Sequence, residues 1–427
     1  MHRKLLVFSL LLPLFVSAVG KPSRTDDPAF GQIDSIITIL SQITGLQEEH
    51  AVPYGRMNQA QLRKFLSHRI HATLKPKVLE LDELTLKLFG LVPADFDLQK
   101  ETIDLLAEQA AAFYDYREKK LFLLDGASVS SEETTLAHEL SHALADQHFN
   151  LEKFVDDDSS NDDENLAHTA VVEGQASWLM LAYQMRRQGK NEPPTSAMLA
   201  TIENSADAST SDYPVLNGSP LYIRQSLMFP YSQGTRFFDD VYRKLGQQAF
   251  SAVFSDPPGD SSQIIHPERY FAHVKPTTPA LPSFDSGEKQ KEIAAGEVGE
   301  FDNRMLLWQY VGKHDALRLA PHMRGAQFRI VESGKKKKPV LEYASEWDSD
   351  SSASDYFTAY KTVLRKKWKH CDPTRDTGEF FAGASDNGFF LTQRNGHFVS
   401  SIEGIDQQTA WRRALDRADG LPNGRGD

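Results

Sequence analysis

Two histidines and a glutamate stand together in the segment His138-Glu139-Leu140-Ser141-His142, and the neighbouring apolar residues recur at helical spacing. Histidines four positions apart on a helix lie on one face, about one turn apart, so both imidazoles can bind one metal ion. Glu139 points about 100° away from His138, which suits a general base that acts on water rather than a metal ligand. The spacing therefore indicates a hydrolytic metal site on a single helix.

A catalytic zinc site has three protein ligands and one open position, so the two histidines require a third partner. His148 follows His142 by six residues, but on an unbroken helix its side chain faces away from the pair. Metzincin peptidases use a histidine at that spacing because a glycine breaks the helix, whereas this chain has Ala145 at the glycine position. We favour Glu173, on a second predicted helix over Leu166–Arg187, because its carboxylate can reach the first helix across a packed pair.

The same residues resemble the gluzincin metallopeptidases, a family best known from its thermolysin-like branch. The resemblance rests on the segment His138–Ala143 and on the pair Glu173-Gly174 on the following helix. It implies a zincin-like core with a zinc ion, Zn2+, held by His138, His142 and Glu173. It also implies that Glu139 is the base in the hydrolysis of peptide bonds.

The resemblance covers roughly residues 79–275, has two further implications and fails at one position. A substrate peptide would lie along an edge strand, and Lys120–Leu124 occupies the place of that strand just before the first helix. Asp146 matches the acidic residue that follows the second histidine in the family, and it can orient an imidazole by a hydrogen bond. Ser177 departs from the pattern, since thermolysin-like enzymes place an aspartate at this position.

Peptide hydrolysis also needs a hydrogen-bond donor for the oxyanion that develops on the substrate. Tyr231 and His266 are the candidates, because both lie downstream of Glu173 as the donors of gluzincins do. Tyr231 begins Tyr-Ser-Gln-Gly and His266 precedes Pro267, and both segments are similar to a group of exported bacterial proteins with this core. The sequence leaves the choice between the two residues open.

The N-terminus has the organisation of a secretory signal. Arg3 and Lys4 form a basic start, Leu5–Val16 is apolar, and Ser17 and Ala18 are small residues of the kind found before a cleavage site. We therefore predict a signal peptide over residues 1–18 and a secreted or periplasmic protein. An uncleaved membrane anchor is the alternative, and the short apolar run, interrupted by Pro13, argues against it.

The composition is that of a folded chain and limits the possible partners. The 427 residues are 40% hydrophobic and 25% charged, which is enough for more than one domain. A net charge of −12 without an extended basic stripe argues against binding to nucleic acid or stable insertion in an anionic membrane. Cys371 is the single cysteine and excludes a disulfide within the chain. The predicted partner is a peptide or protein substrate.

The apolar periodicity predicts an α+β protein that is mainly α. After the signal peptide we predict a helical N-terminal region over residues 19–112 and the zincin-like catalytic core over residues 113–275. A linker over residues 276–299 follows, because several prolines interrupt regular structure there. A small α+β domain over residues 300–427 completes the chain, with a hairpin predicted around Asn395-Gly396.

Within the core, the expected order is a strand at Lys120–Leu124, a helix over about Glu132–Gln147 and the second helix over Leu166–Arg187. The stretch Asn191–Pro220 is rich in Ser, Thr, Pro, Asp and Asn and is predicted as a long connection.

The alternative from a different class of function is a non-catalytic, zinc-stabilised binding protein, in which the C-terminal domain carries the function. Glu139 argues against this alternative, because a purely structural site has no use for a base that does not touch the metal.

Overall fold

The computed structural model describes residues 30–73, 75–125, 129–155, 161–205, 213–333 and 337–418. The predicted signal peptide lies outside these ranges. Over the described residues the protein is α+β with more helix than strand, as the sequence predicts. No helix in these ranges is both long and apolar enough to cross a membrane.

The N-terminal part combines four helices with a three-stranded sheet. The helices are α1 (Ile33–Thr44), α2 (Gln59–Thr73), α3 (Pro76–Phe89) and α4 (Leu98–Gln109). The strands are β1 (Tyr54–Met57), β2 (Ala112–Asp115) and β3 (Lys120–Leu124). The middle strand is β3, which pairs in parallel with β1 and antiparallel with β2.

This sheet corrects two expectations. The region before residue 113 is not purely helical, because β1 lies between α1 and α2. The prediction of a strand at Lys120–Leu124 is confirmed, but it is not an edge strand, because β1 covers the side that β2 leaves free. Four residues of β1 without apolar alternation carry no strand signal, and their parallel partner is distant along the chain.

Three long helices form the centre of the molecule, and the first two confirm the helices predicted over about Glu132–Gln147 and Leu166–Arg187. They are α5 (Val129–Phe149), α7 (Asp162–Arg187) and α10 (Leu221–Leu245), and the short α6 (Leu151–Val155) follows α5. Where α7 and α10 cross, a Cβ atom on Gly174 would overlap the backbone of Gly234, and one on Gly234 would overlap the backbone of Ala170. The absence of side chains at both glycines therefore permits this close approach.

Short helices connect and follow these elements. They are α8 (Ser196–Ser205), α9 (Pro214–Gly218), α11 (Ala249–Ser255), α12 (Ser261–Ile265) and α13 (Pro267–Phe271). The prediction of a long connection over Asn191–Pro220 is corrected, since α8 and α9 lie within it. Leu199 and Ile202 of α8 are buried, but the polar residues around them hide their helical spacing in the sequence.

The C-terminal part is a seven-stranded sheet in the order β4-β5-β6-β10-β9-β8-β7. Its strands are β4 (Lys291–Glu297), β5 (Met323–Ser333), β6 (Lys338–Trp347), β7 (Cys371–Asp376), β8 (Phe380–Ser385), β9 (Gly388–Asn395) and β10 (Phe398–Ile405). Its helices are α14 (Glu300–Tyr310), α15 (Lys313–Leu319), α16 (Asp350–Lys367) and α17 (Gln408–Ala418). Every pairing in this sheet is antiparallel, and the predicted hairpin is confirmed as β9 and β10.

The expected linker over residues 276–299 is partly wrong, because it contains β4, the strand that pairs with β5 at one edge of the sheet. One hydrophobic core also extends from the N-terminal helices into this sheet. Phe89 of α3 meets Phe328 and Tyr343 edge to face, with ring centroids 5.5 and 5.8 Å apart. The N-terminal helices and the C-terminal sheet are therefore packed against each other.

Candidate metal centre

Helix α5 carries the motif histidines and is buried on both sides. Leu136 and Leu140 face the hydrophobic core and are fully buried. His138 and His142 are each only 1% exposed, because α7 packs against α5 and Tyr231 of α10 lies over the His138 ring. The two rings therefore lie inside the protein and not on a solvated face.

The structure brings together the three residues that the sequence selects as metal ligands. The Nε2 atoms of His138 and His142 are 3.0 Å apart, and Glu173 Oε2 lies 3.2 Å from the first and 3.6 Å from the second. Ligand bonds of about 2.0–2.1 Å in a tetrahedral site require separations of roughly 3.3 Å between ligand atoms. The three atoms therefore fit a zinc-sized ion, and no other group of three such side chains in the described ranges is this close.

Burial sets the electrostatics of the ligand atoms. It lowers the pKa of His138 to about 3, and burial together with the neighbouring His138 holds the pKa of His142 well below its usual range. Both rings are therefore neutral near pH 7, as metal binding requires. Burial also raises the pKa of Glu173, and the nearby Glu139 carboxylate raises it further. A dication between these groups would offset the cost of a buried negative charge.

Glu139 lies beside the ligand atoms but outside their group. The residue is completely buried, and its Oε2 accepts a hydrogen bond of 2.6 Å from the main-chain N–H of Tyr114 in β2. Its Oε1 is buried and has no hydrogen-bond donor within the described part of the chain. Burial raises the pKa of Glu139, against the opposing effect of the Tyr114 N–H. One carboxylate oxygen is thus held in place while the other is available to a substrate or water.

Tyr231, on α10, adjoins the ligand group as expected for a residue of the site. Its ring stacks on His138 with the centroids 6.1 Å apart and the planes inclined by 25°. Its hydroxyl donates a hydrogen bond to the Glu173 carboxylate, which lowers the pKa of Glu173 against the effect of burial. Tyr231 therefore helps to orient the carboxylate ligand.

His266, the other candidate oxyanion donor, belongs to a separate cluster. Its Nε2 lies 2.9 Å from Glu300 Oε1, and Glu300 also pairs with Arg269 and Arg304. Within the described ranges His266 is neither in the ligand group nor among the residues of the adjoining cavity. The expectation that it serves this site is corrected, because α12 and α13 direct it toward α14.

Two other residues of α5 have structural partners. Asp146 accepts hydrogen bonds of 2.8 Å from the Tyr114 hydroxyl, the Lys119 ammonium and the Leu151 N–H, and none from an imidazole. It therefore anchors β2 and the turn after it, and does not orient a metal ligand as expected. His148 faces away from the pair, as predicted, and its Nε2 lies 2.8 Å from the carbonyl oxygen of Gln47.

The Tyr114 amide is the contributor to this site that sequence reasoning missed. Because it is a main-chain N–H group, no residue type in the sequence indicates its role. Only the pairing of β2 with β3, which leaves this N–H directed at α5, determines its position.

Comparison of the chain with family models, with curated proteins and with solved structures finds no match.

Proposed function

We propose that the protein is an exported zinc-dependent peptidase with a zincin-like core of the gluzincin type. The observation that carries the proposal is the position of Glu139 close enough to Glu173 for its charge to act on it, with one buried carboxylate oxygen that has no donor among the described residues. A purely structural zinc site is closed by four ligands and needs no such neighbour. A catalytic site needs three ligands and a base.

The ligand set supports zinc as the metal. Two imidazoles and one carboxylate, His138, His142 and Glu173, are a set used by catalytic zinc sites, and their mutual distances suit tetrahedral coordination. When bound, zinc supplies a Lewis acid that polarises a carbonyl group and makes water more acidic.

The residues of the chain have distinct roles in this proposal. Glu139 accepts a proton from the attacking water at Oε1 and passes it to the nitrogen of the leaving amine. The Tyr114 N–H holds Oε2, and burial raises the pKa of Glu139, so the carboxylate is a stronger base than an exposed one. Tyr231 orients Glu173 and is the remaining candidate for stabilising the oxyanion.

The test compares Glu139→Gln with the unaltered protein for zinc content and for cleavage of an unbiased peptide library, with and without a chelator. We expect Glu139→Gln to keep zinc and to lose activity by at least about 100-fold. His142→Ala loses both zinc and activity. His148→Ala is the matched control on the same helix and keeps both. Undiminished cleavage by Glu139→Gln would overturn the assignment of Glu139 as the base. Absence of cleavage by the zinc-loaded unaltered protein would favour the non-catalytic, zinc-stabilised binding protein.

Export is part of the proposal and has its own test. The segment 1–18 is proposed to be removed by a signal peptidase after Ala18. The N-terminal sequence of the protein recovered outside the cytoplasm should then begin at Val19. Recovery of the intact N-terminus in the membrane fraction would support an anchor instead.

A further inference from the structure

A cavity of about 80 Å³ adjoins the metal centre and is bounded by α4, α7, α10 and α14. Most of its wall is apolar: Leu98, Leu105, Leu106, Leu166, Ile223, Leu227, Pro230 and Phe301. Among the described residues, the charged groups that line it are all acidic, with no lysine, arginine or histidine. Since roughly 10–15 Å³ of such space holds one water, the cavity accommodates several water- or methylene-sized groups and suits one slender side chain.

The cavity is elongated and has two polar ends. On α7 its wall is formed by Asp162, Leu166, Thr169 and Glu173, which lie on one face of the helix. Asp163 and Glu173 are ten residues apart, which corresponds to about 15 Å along the helix axis. On α10, Tyr222 bonds to Asp302 at one end and Tyr231 bonds to Glu173 at the other. The cavity therefore connects the metal centre to a distant acidic end.

The acidic end holds a carboxylate oxygen without a donor. Asp163 is 6% exposed, its Oδ2 accepts an N–H from Ser261, and its Oδ1 is buried with no hydrogen-bond donor in the described ranges. A Cβ atom on Gly299 would overlap this carboxylate, so glycine leaves room for it. Burial raises the pKa of Asp163, and the charges of Asp260 and Asp302 raise it further. A cation in the cavity would relieve this accumulation of negative charge.

We propose that this cavity is the specificity pocket for a lysine or arginine side chain next to the scissile bond. The assignment of the scissile bond rests on the proposed peptidase function. The extended lysine side chain spans about 6 Å from Cα to Nζ, given bonds near 1.5 Å, and a hydrogen bond adds about 3 Å. With the Cα about 4 Å from the metal centre, the ammonium reaches an acceptor about 13 Å away. This length is comparable with the spacing of about 15 Å between Glu173 and Asp163 along α7, and the apolar walls accommodate the aliphatic stem.

The first test measures cleavage. One parent peptide is made with lysine, arginine, norleucine or glutamate on either side of the cleaved bond, and kcat/KM is measured with the zinc-loaded full chain. We expect lysine or arginine to exceed norleucine by about 10- to 100-fold, because an unpaired buried acid penalises the neutral analogue. The ratio of kcat/KM between the lysine and arginine peptides shows which of the two side chains the cavity prefers. Equal rates for lysine and norleucine would overturn the pocket while leaving the peptidase proposal intact.

The second test does not require turnover. Calorimetry compares the binding of Nα-acetyl-lysine amide, whose side-chain ammonium is free, with that of Nα-acetyl-norleucine amide. Both are added to the zinc-loaded Glu139→Gln variant. Tighter binding of the lysine amide than of the norleucine amide, lost in Glu139→Gln/Asp163→Asn, supports the pocket. If this result is found but no peptide is cleaved, only the peptidase proposal fails. Asp350→Asn is the matched control, since Asp350 is 73% exposed and lies outside the cavity. Unchanged lysine binding after Asp163→Asn would contradict the assignment.

A third variant covers the case in which Asp163→Asn does not fold. Ser226 lines the middle of the cavity and is only half-buried, so Ser226→Phe fills the space without replacing a core residue. We expect this variant to keep its zinc and to lose the preference for lysine over norleucine. A retained preference in a folded, zinc-loaded Ser226→Phe protein would exclude this cavity as the pocket.

Discussion

The main-chain N–H of Tyr114 donates a hydrogen bond of 2.6 Å to the carboxylate of Glu139. The hydroxyl of the same tyrosine donates one of 2.8 Å to Asp146, two turns further along α5. Strand β2 is thus joined to the active helix at two points, once through its backbone and once through a side chain. The orientation of the proposed base is therefore coupled to a buried tyrosine that does not touch the ligand atoms.

Tyr114→Phe removes the hydrogen bond from the hydroxyl to Asp146 and keeps the ring. We expect the free energy of unfolding to fall by about 1–3 kcal/mol, since the Asp146 carboxylate loses a buried donor. We also expect kcat to fall while zinc content is kept, because β2 is less firmly held against Glu139. Urea unfolding and metal analysis measure the two effects. Tyr54→Phe is the control, since Tyr54 is 51% exposed, and equal stability of both variants would contradict the coupling.

The crossing of α7 and α10 yields a second prediction. Gly174→Ala places a Cβ atom against the backbone of Gly234, so the helices must separate or bend. We expect a loss of about 1–3 kcal/mol in the free energy of unfolding. Zinc affinity also falls, because Glu173 is the preceding residue on α7. Gly218→Ala is the matched control, since a Cβ atom there meets nothing within 4 Å, and equal effects would contradict the role of the crossing.

The grouping of His138, His142 and Glu173 was predictable because the spacing of residues on a helix determines which side chains share a face. His138 and His142 follow from the helical period, and Glu173 follows from the need for a third ligand on a packed neighbour. His266 was misplaced because its order in the chain says nothing about where the turn before α13 directs it. The expected role of Asp146 was also wrong, because its hydrogen-bond partner is Tyr114, a residue of β2 that its place on α5 does not reveal.

Strand predictions succeeded where the signal was local and failed where pairing was distant. The hairpin of β9 and β10 is specified by the turn at Asn395-Gly396. By contrast, β1 and β4 pair with strands far along the chain, and β1 has only four residues, so tertiary contacts stabilise them.

Zinc should stabilise the folded protein because its ligands assemble only in the native state. At a free zinc concentration of 100 times Kd, mass action adds about 2.7 kcal/mol to the free energy of unfolding. We expect Tm to rise with added zinc and to fall with a chelator. Glu173→Gln should abolish this dependence, whereas Glu164→Gln, on the same helix, should keep it. A Tm for Glu173→Gln that still responds to zinc would exclude Glu173 as a ligand.

Glu300 makes stability depend on pH. Burial alone would raise the pKa of this carboxyl, but the hydrogen bond and charge of His266 and the charges of Arg304 and Arg269 hold it below the ordinary value of 4.5. Ionised Glu300 therefore stabilises the fold above about pH 4.5, and this contribution is lost as the pH falls through the lowered pKa. Glu300→Gln should cost about 3 kcal/mol at pH 7, because it leaves the partly buried guanidinium groups of Arg269 and Arg304 without their carboxylate partner, and the cost should shrink in acid. Urea unfolding at pH 7 and between pH 3 and 5 measures this cost. Glu80→Gln is the control, since the Glu80 side chain is 67% exposed. A cost that is the same at every pH would contradict the ionised cluster.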